Sequence, residues 1–414
     1  MSIALLPDEL VEIIFSFVRQ KTAPPDQESH QTFASLALTS RRFVMLARSY
    51  LYFRPILQPF RHVTWEKAIA LCSALSSRLG RLVNSLEGIV DFVSEVGTLV
   101  EPRTPLSFQL AREGREGYTE AFSLYYALLK ACPKLVYAEL IFNSSDHLAK
   151  LTEALDSSMS SLETLKFTNS RFSYGYRIDT DLLLVALDRI KFRKTPNLEV
   201  GDVYGSHRGG PPSIVIPVAS ISFFHGSYHT RLLPQDPSAL KSCSVHGSYL
   251  TAEKLQWLFD YLPASITVVS VSESGDIADV ELAEYMDDVY DAFVPAETFS
   301  RFACLSHLTL QGSDGPSLDP LKNLTSSAAS LVRLDLTKST WIPSPSARVS
   351  PSRSGSSITG LVDPHDLLDH LLKFEKLRSI ELGILPTTSN DSYAIVKEEL
   401  EQKRGIKVDW QLCR

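Results

Sequence analysis

The sequence predicts an α/β protein in which a small helical module precedes a long, irregular repeat of helices and parallel strands. Two observations predict this organisation. Apolar residues recur at helical spacing within the first 55 residues, and the strand-like pattern L-x-x-L-x-L recurs from about residue 75 onward. The chain has 414 residues, of which 44% are hydrophobic, so it is long enough to bury a large core.

The first helix is predicted within residues 5–18. Pro7 suits the start of a helix, where its missing N–H would have no partner in any case. Asp8 and Glu9 place negative charge on the first turn, which favours the helix dipole. The apolar residues that follow one helical face are Leu6, Leu10, Ile13, Ile14 and Phe17.

Two further short helices complete the module. A polar loop over residues 19–31 contains the breaker Pro24-Pro25. The second helix carries Phe33, Leu36 and Leu38, and the third covers residues 40–51. Three short helices make a poor independent core, and their apolar positions cover more than one face. The module is therefore expected to complete its burial on a partner or on the rest of the chain.

This order of residues resembles the F-box. The leucine-proline opening, the aliphatic first helix and the third helix that begins Ser40-Arg41-Arg42-Phe43 all have counterparts in that family. The resemblance implies docking on a Skp-type adaptor and, through it, on a cullin. It assigns adaptor binding to Leu6, Pro7, Leu10, Ile13, Ile14, Phe17, Leu36, Leu38 and Phe43. The sequence departs from the family in its longer first loop and in Phe43, where tryptophan is common. An ordinary amphipathic N-terminal cap is the alternative.

The L-x-x-L-x-L pattern predicts the strands of the second part. Clear matches begin at Leu135, Leu162, Leu240, Ile266, Leu305, Leu331 and Leu377, and a poor match begins at Leu198. Residues 83–89 and 218–223 are possible degenerate units. A small polar residue is expected at the bend eight positions after each start, as at Asn143, Ser170, Ser206, Ser248, Ser274, Ser313 and Ser339. The Leu377 unit has Leu385 there instead.

Helical segments alternate with these strands. They are predicted over residues 118–131, 147–159, 251–262 and 364–374, and a last one begins at Ser392 and ends at Gly405 before a strand over 406–412. The fold class is therefore a three-helix F-box followed by an irregular leucine-rich-repeat-like α/β solenoid with a parallel sheet. Its domains are residues 1–55 and 75–414, with a flexible Ser/Pro-rich insertion at 340–361. A non-repetitive α/β domain is the alternative.

Composition indicates a protein of the cytoplasm or nucleus. The net charge is −7 without a basic block, so nucleic acid is not expected as a partner. Acidic residues near the N-terminus do not fit a signal peptide, and the apolar run at residues 182–187 is too short to cross a membrane. The five cysteines are scattered and form no C-x-x-C pair, which predicts reduced thiols.

Signatures of catalysis and cofactor binding are not found in the sequence. It contains no phosphate-binding loop, nucleophile elbow or zinc-protease motif. His225 and His229 lack further metal ligands, and the glycines of residues 201–210 precede no helix start. No catalytic, cofactor-binding or metal residue is predicted, and the acidic residues of 281–291 are taken as a solvated face. They could alternatively dock a basic substrate segment.

The resemblance to the F-box implies that the chain is the substrate-receptor subunit of an SCF-type ubiquitin ligase. The repeat would present an unknown protein target, and the chain itself would not be an enzyme. The alternative is a non-catalytic interaction scaffold that does not direct ubiquitin transfer. An enzyme whose site is too degenerate to read is a third possibility.

Overall fold

The computed structural model describes about twenty stretches of the chain. They are residues 7–8, 10–11, 13–15, 27–53, 65–77, 79–86, 117–142, 145–156, 161–167, 178–190, 192, 194–201, 203–204, 210–224, 228–246, 252–272, 301–311, 329–340, 364–385 and 390–412. The chain divides into two compact units, Met1–Gly209 and Gly210–Arg414. The predicted domain boundary between residues 55 and 75 falls within the first unit and stays a prediction.

The first unit begins with helical residues 8–15, as far as these are described. Six longer helices follow in the stretches of this unit that are described. They are α1 (Gln27–Thr39), α2 (Arg41–Phe53), α3 (Trp65–Ser77), α4 (Gly117–Ala131), α5 (Ser145–Leu155) and α6 (Thr180–Arg189). A short 3-10 helix, Leu79–Leu82, follows α3.

Four strands of the first unit lie side by side in chain order. They are β1 (Ser85–Leu86), β2 (Tyr137–Leu140), β3 (Thr164–Phe167) and β5 (Asn197–Gly201), and each pair of neighbours is parallel. Two shorter strands, β4 (Ile178–Asp179) and β6 (Val203–Tyr204), pair with each other in parallel.

Among the described residues of the second unit, seven strands are again parallel and in chain order. They are β7 (Ser220–Phe224), β8 (Ser242–His246), β9 (Val268–Ser272), β10 (His307–Gln311), β11 (Arg333–Thr340), β12 (Ser379–Leu385) and β13 (Lys407–Leu412). Helices α7 (Ala252–Tyr261), α8 (Pro364–Leu371) and α9 (Asn390–Arg404) belong to this unit. Since eleven strands of the described residues are parallel and in chain order, the predicted α/β class with a parallel sheet is confirmed.

The register of the strands follows the apolar pattern. The fourth residue of one motif lies opposite the fourth residue of the next, as in Ala138 with Leu165 and Cys243 with Val269. The first residues of the seven clear motif matches are all buried, and so are Val83 and Val218, which begin the two degenerate units. Both degenerate units therefore contain real strands.

The unit at Leu198 was predicted in the wrong register. Leu198 pairs with Leu165 and so occupies the fourth motif position, whereas the sequence pattern placed it first. The first position falls on Thr195, which is exposed, and the neighbouring Pro196 is buried instead. Because the usual leucine is missing there, the L-x-x-L-x-L pattern fits best at the next leucine along the chain.

Two helical segments of the structure were not expected from the sequence. Residues 27–31 belong to α1 and were assigned to a loop, because their polar side chains carry no apolar period. Helix α6 was missed, although Asp179 caps it by accepting hydrogen bonds from the amides of Asp181 (2.7 Å) and Leu182 (3.2 Å). The Asp179-Thr180-Asp181 sequence before an apolar run was the signal that could have identified it.

Several predictions fall outside the described residues. The bend residues from Asn143 to Ser313, the acidic residues of 281–291 and the insertion at 341–361 are among them. Gly405 does end the last helix, with φ of 62°, a left-handed conformation that favours glycine.

Candidate docking surface

The helices of residues 7–53 surround an aromatic core of their own. Its buried members are Val11, Phe15, Phe33, Phe43 and Ala47. The ring of Phe15 meets Phe33 edge-on at 5.1 Å between centroids, and it meets Tyr50 in the same way at 5.4 Å. This core holds the first helical residues against α1 and α2.

Polar contacts fix the same arrangement. The Arg42 Nε atom donates a hydrogen bond of 2.5 Å to Asp8 Oδ1, which joins the first helical residues to α2. The Ser40 hydroxyl accepts from the Phe43 amide at 3.2 Å and so caps the start of α2. Both contacts are partly exposed to water, so the aromatic core contributes more to stability than the ion pair does.

The module exposes apolar side chains in spite of this core. Leu10 is 46% exposed, Ile13 49%, Leu38 90% and Met45 66%. The other exposed large apolar residues of the described chain are distributed over separate elements: Val185, Val215, Trp257 and Ile395. Half of the exposed set therefore belongs to one small group of helices. Exposed apolar side chains concentrated in one small module are typical of a surface that a partner covers.

The residues predicted to bind an adaptor take different positions in this module. Pro7, Leu10, Ile13 and Leu38 are exposed. Ile14 and Leu36 are partly buried against the aromatic core, and Phe43 lies inside it. Leu6 and Phe17 lie outside the described residues. Met45 was not predicted; its position, two residues after Phe43 and two before Ala47, places it on the side of α2 away from the core.

The sheet of the second unit offers a second candidate surface. Along β7, β8 and β9 buried residues alternate with half-buried ones, so one face packs inward and the other is accessible. On four neighbouring strands the accessible face carries hydroxyl side chains from Ser220, Ser222, Ser242, Ser244, Ser270 and Thr309. This hydroxyl face has no formal charge at those positions.

An imidazole lies at the carboxyl end of the hydroxyl face. His246 Nδ1 is 2.7 Å from Ser272 Oγ, and the His246 ring stacks on Phe224 at 5.3 Å. Burial lowers the pKa of His246 below its ordinary value of 6.5, because the charged ring would lose hydration. The imidazole is therefore neutral near pH 7.

The strands that follow in the same unit, β11, β12 and β13, carry charged side chains. Arg333 donates to Asp335 (3.3 Å) and to Glu381 (2.9 Å), and Asp409 lies opposite Glu381 in the register. In the first unit, Lys166 lies 3.2 Å from the buried carboxylate of Glu139. These charges are largely paired within the sheet, so they provide little free charge to a partner.

The described residues offer few groups suited to metal binding or nucleophilic catalysis. They contain no group of three histidine, cysteine or acidic side chains that could hold a metal ion. His229 accepts a hydrogen bond from the Arg231 amide at 3.2 Å and caps a 3-10 helix, Thr230–Leu232. Burial raises the pKa of the Cys132 and Cys243 thiols to about 12, which disfavours the nucleophilic thiolate.

A membrane-spanning helix is also not found in the part of the chain that the structure describes, since none there is both long and apolar enough. The whole chain matches no protein-family model and no curated protein sequence. The resemblance to the F-box therefore rests on the residue pattern alone.

Proposed function

We propose that the chain is the substrate-receptor subunit of an SCF-type ubiquitin ligase. Its N-terminal helices dock on a Skp-type adaptor, and the adaptor connects it to a cullin. The single observation that carries this proposal is the exposure of Leu10, Ile13, Leu38 and Met45 on a module that already has a core. Covering these side chains removes apolar surface from water, which favours association.

The packing separates docking residues from structural ones. Leu10 and Ile13 stand three positions apart on one helix, so their side chains lie on the same face. Their neighbours Val11 and Phe15 are buried in the aromatic core. Substitution of Leu10 or Ile13 therefore changes the outer surface without opening the interior. Phe43, by contrast, supports the module from inside.

The remainder of the chain is proposed to be a leucine-rich-repeat-like solenoid that holds the target protein. Within each unit the main-sheet strands pair in chain order, as expected when each repeat packs on the previous one. The accessible sheet face, with its hydroxyl groups, is the surface that we assign to the target. The contribution to ubiquitin transfer is proximity and orientation.

The test compares two charge substitutions on exposed apolar residues. The double variant Leu10→Asp with Ile13→Asp is expected to abolish binding to a purified Skp-type adaptor while the chain remains folded. The matched control is Val215→Asp with Ile395→Asp, because these residues are also exposed but belong to the second unit. Adaptor binding that survives the first double variant, or that is lost equally in the control, would contradict the proposal.

A further measurement separates a ligase receptor from a scaffold. Co-purification of a cullin with the intact chain is expected, together with ubiquitin transfer to a protein captured by the second unit. If a captured protein does not accumulate when the chain is deleted from cells, the chain is a scaffold and not a receptor for ubiquitin transfer.

A further inference from the structure

The outer face of α2 carries two arginines with a methionine between them. Arg41, Met45 and Arg48 are spaced four and three residues apart, so they occupy one face of the helix. All three are exposed, and Met45 is exposed by 66%. The opposite side of α2 supplies Phe43 and Ala47 to the aromatic core. We call Arg41, Met45 and Arg48 the basic strip.

The two arginines of the basic strip have no carboxylate partner in the part of the chain that is described. Arg48 Nη1 donates a weak hydrogen bond to Met45 Sδ at 3.7 Å. Arg42, between them in sequence, is different, because it donates to Asp8 at 2.5 Å and lies 5.9 Å from the Phe43 ring. Arg42 holds the module together, whereas Arg41 and Arg48 remain available to another molecule.

The position of Arg41 is unfavourable for the helix itself. It is the first residue of α2, and the first turn contains no acidic residue. The backbone N–H groups give this end of a helix a partial positive charge, so a cation here is repelled. The stability of α2 therefore does not explain Arg41, but attraction to a negatively charged partner would.

We infer that the basic strip binds an acidic segment of the adaptor, in which two carboxylates flank an apolar side chain. The arginines are seven residues apart, which places them about 10 Å apart along the helix axis. Carboxylates at a similar spacing would pair with the guanidinium groups, and the apolar side chain would cover Met45. Charge complementarity of this kind mainly sets the rate and orientation of docking. This inference rests on the proposed function, because it assigns a chemistry to the adaptor.

The test uses the full chain and a purified Skp-type adaptor at about 0.05 M and 0.5 M salt. The double variant Arg41→Glu with Arg48→Glu is expected to bind the adaptor about tenfold more weakly at low salt, and the difference should shrink at high salt. The matched control, Lys134→Glu with Lys150→Glu, changes the net charge equally on exposed residues remote in sequence, and it should bind within about twofold of the unmodified chain.

The single variant Arg41→Glu separates binding from folding. Its new carboxylate interacts favourably with the start of α2, so thermal stability should rise slightly while adaptor binding falls. The inference would be overturned if Arg41→Glu with Arg48→Glu left adaptor binding undiminished. If Leu10→Asp with Ile13→Asp still abolished that binding, the proposed function would remain intact. No adaptor binding by the unmodified chain would overturn both.

Discussion

The ring of Phe15 lies edge-on to the ring of Phe33, with 5.1 Å between their centroids. Phe33, which belongs to α1, also stacks on Tyr50 of α2 at 5.1 Å. Phe33 therefore contacts both the first helical residues and α2. Edge-to-face aromatic pairs add to the stabilisation that burial provides. This contact explains how a module of three short helices remains ordered while it exposes leucine and isoleucine.

Phe15→Ala is expected to disorder the module, because it removes the shared aromatic contact and leaves a cavity. The cost is about 3–5 kcal/mol, which is large for so small a core. Hydrogen exchange of the amides in residues 27–53 checks this: they should lose protection. Leu10→Ala is the control and should leave exchange unchanged, because its side chain is already exposed. Equal protection in both variants would contradict the assigned core.

Tyr125→Phe is expected to destabilise the first unit by about 1–3 kcal/mol. The buried Tyr125 hydroxyl donates to the Glu139 carbonyl oxygen at 2.9 Å and accepts from the Ile141 amide at 3.2 Å. Phenylalanine would leave a buried amide unpaired at the end of β2. Chemical denaturation measures the loss, with Tyr137→Phe as the control, because Tyr137 begins the same strand and is only half-buried. A loss no larger than that of the control would disprove the role of this hydroxyl.

Gly80→Ala is expected to cost about 3 kcal/mol or more, since overpacking against backbone cannot relax easily. An added Cβ would overlap the Ala131 carbonyl oxygen and lie 2.8 Å from the Leu75 carbonyl oxygen. Gly405→Ala provides a contrast, because an added Cβ there meets open space and only the left-handed backbone is strained. Its cost should be about 1 kcal/mol. Thermal denaturation of the two variants should rank them in this order, and the reverse order would refute the close approach at Gly80.

The His246 imidazole is expected to titrate below its ordinary pKa of 6.5. At pH values below 6.5 the unfolded chain then binds more protons than the folded chain. The contribution of His246 to the free energy of unfolding is therefore complete above pH 6.5, and it is lost as the pH falls through the lower pKa of the folded state. An NMR titration of the imidazole carbons checks this, and His246→Gln should flatten the acid side of the stability profile. A midpoint at or above 6.5 would show that the ring is not desolvated.

The strands could be predicted from the sequence because their signal is local and repeated. In each repeat of the strand motif the first and fourth residues must both be buried, as at Leu240 and Cys243, so the apolar pattern is strict. At Thr195 a polar residue stands at the first motif position, and the predicted register of that strand is therefore wrong by three residues. Helices were harder to place where their first turn is polar, as in residues 27–31.

The docking residues could be predicted only in part. Helical spacing identifies apolar residues of the first helix, but it does not determine which of them a protein core covers. Ile13 and Ile14 are adjacent in sequence, yet one is exposed and the other packs on the aromatic core. Met45 was not predicted as a docking residue, because its exposure depends on how α2 is rotated against α1. Packing against other helices determines that rotation, and a single sequence does not display it.

The most direct measurement is hydroxyl-radical footprinting of residues 7–53 with and without a Skp-type adaptor. The proposed docking predicts that labelling of Leu10, Ile13, Leu38 and Met45 decreases when the adaptor is present, while Val215 and Ile395 are labelled as before. Unchanged labelling of all four residues at saturating adaptor would contradict the docking of this module.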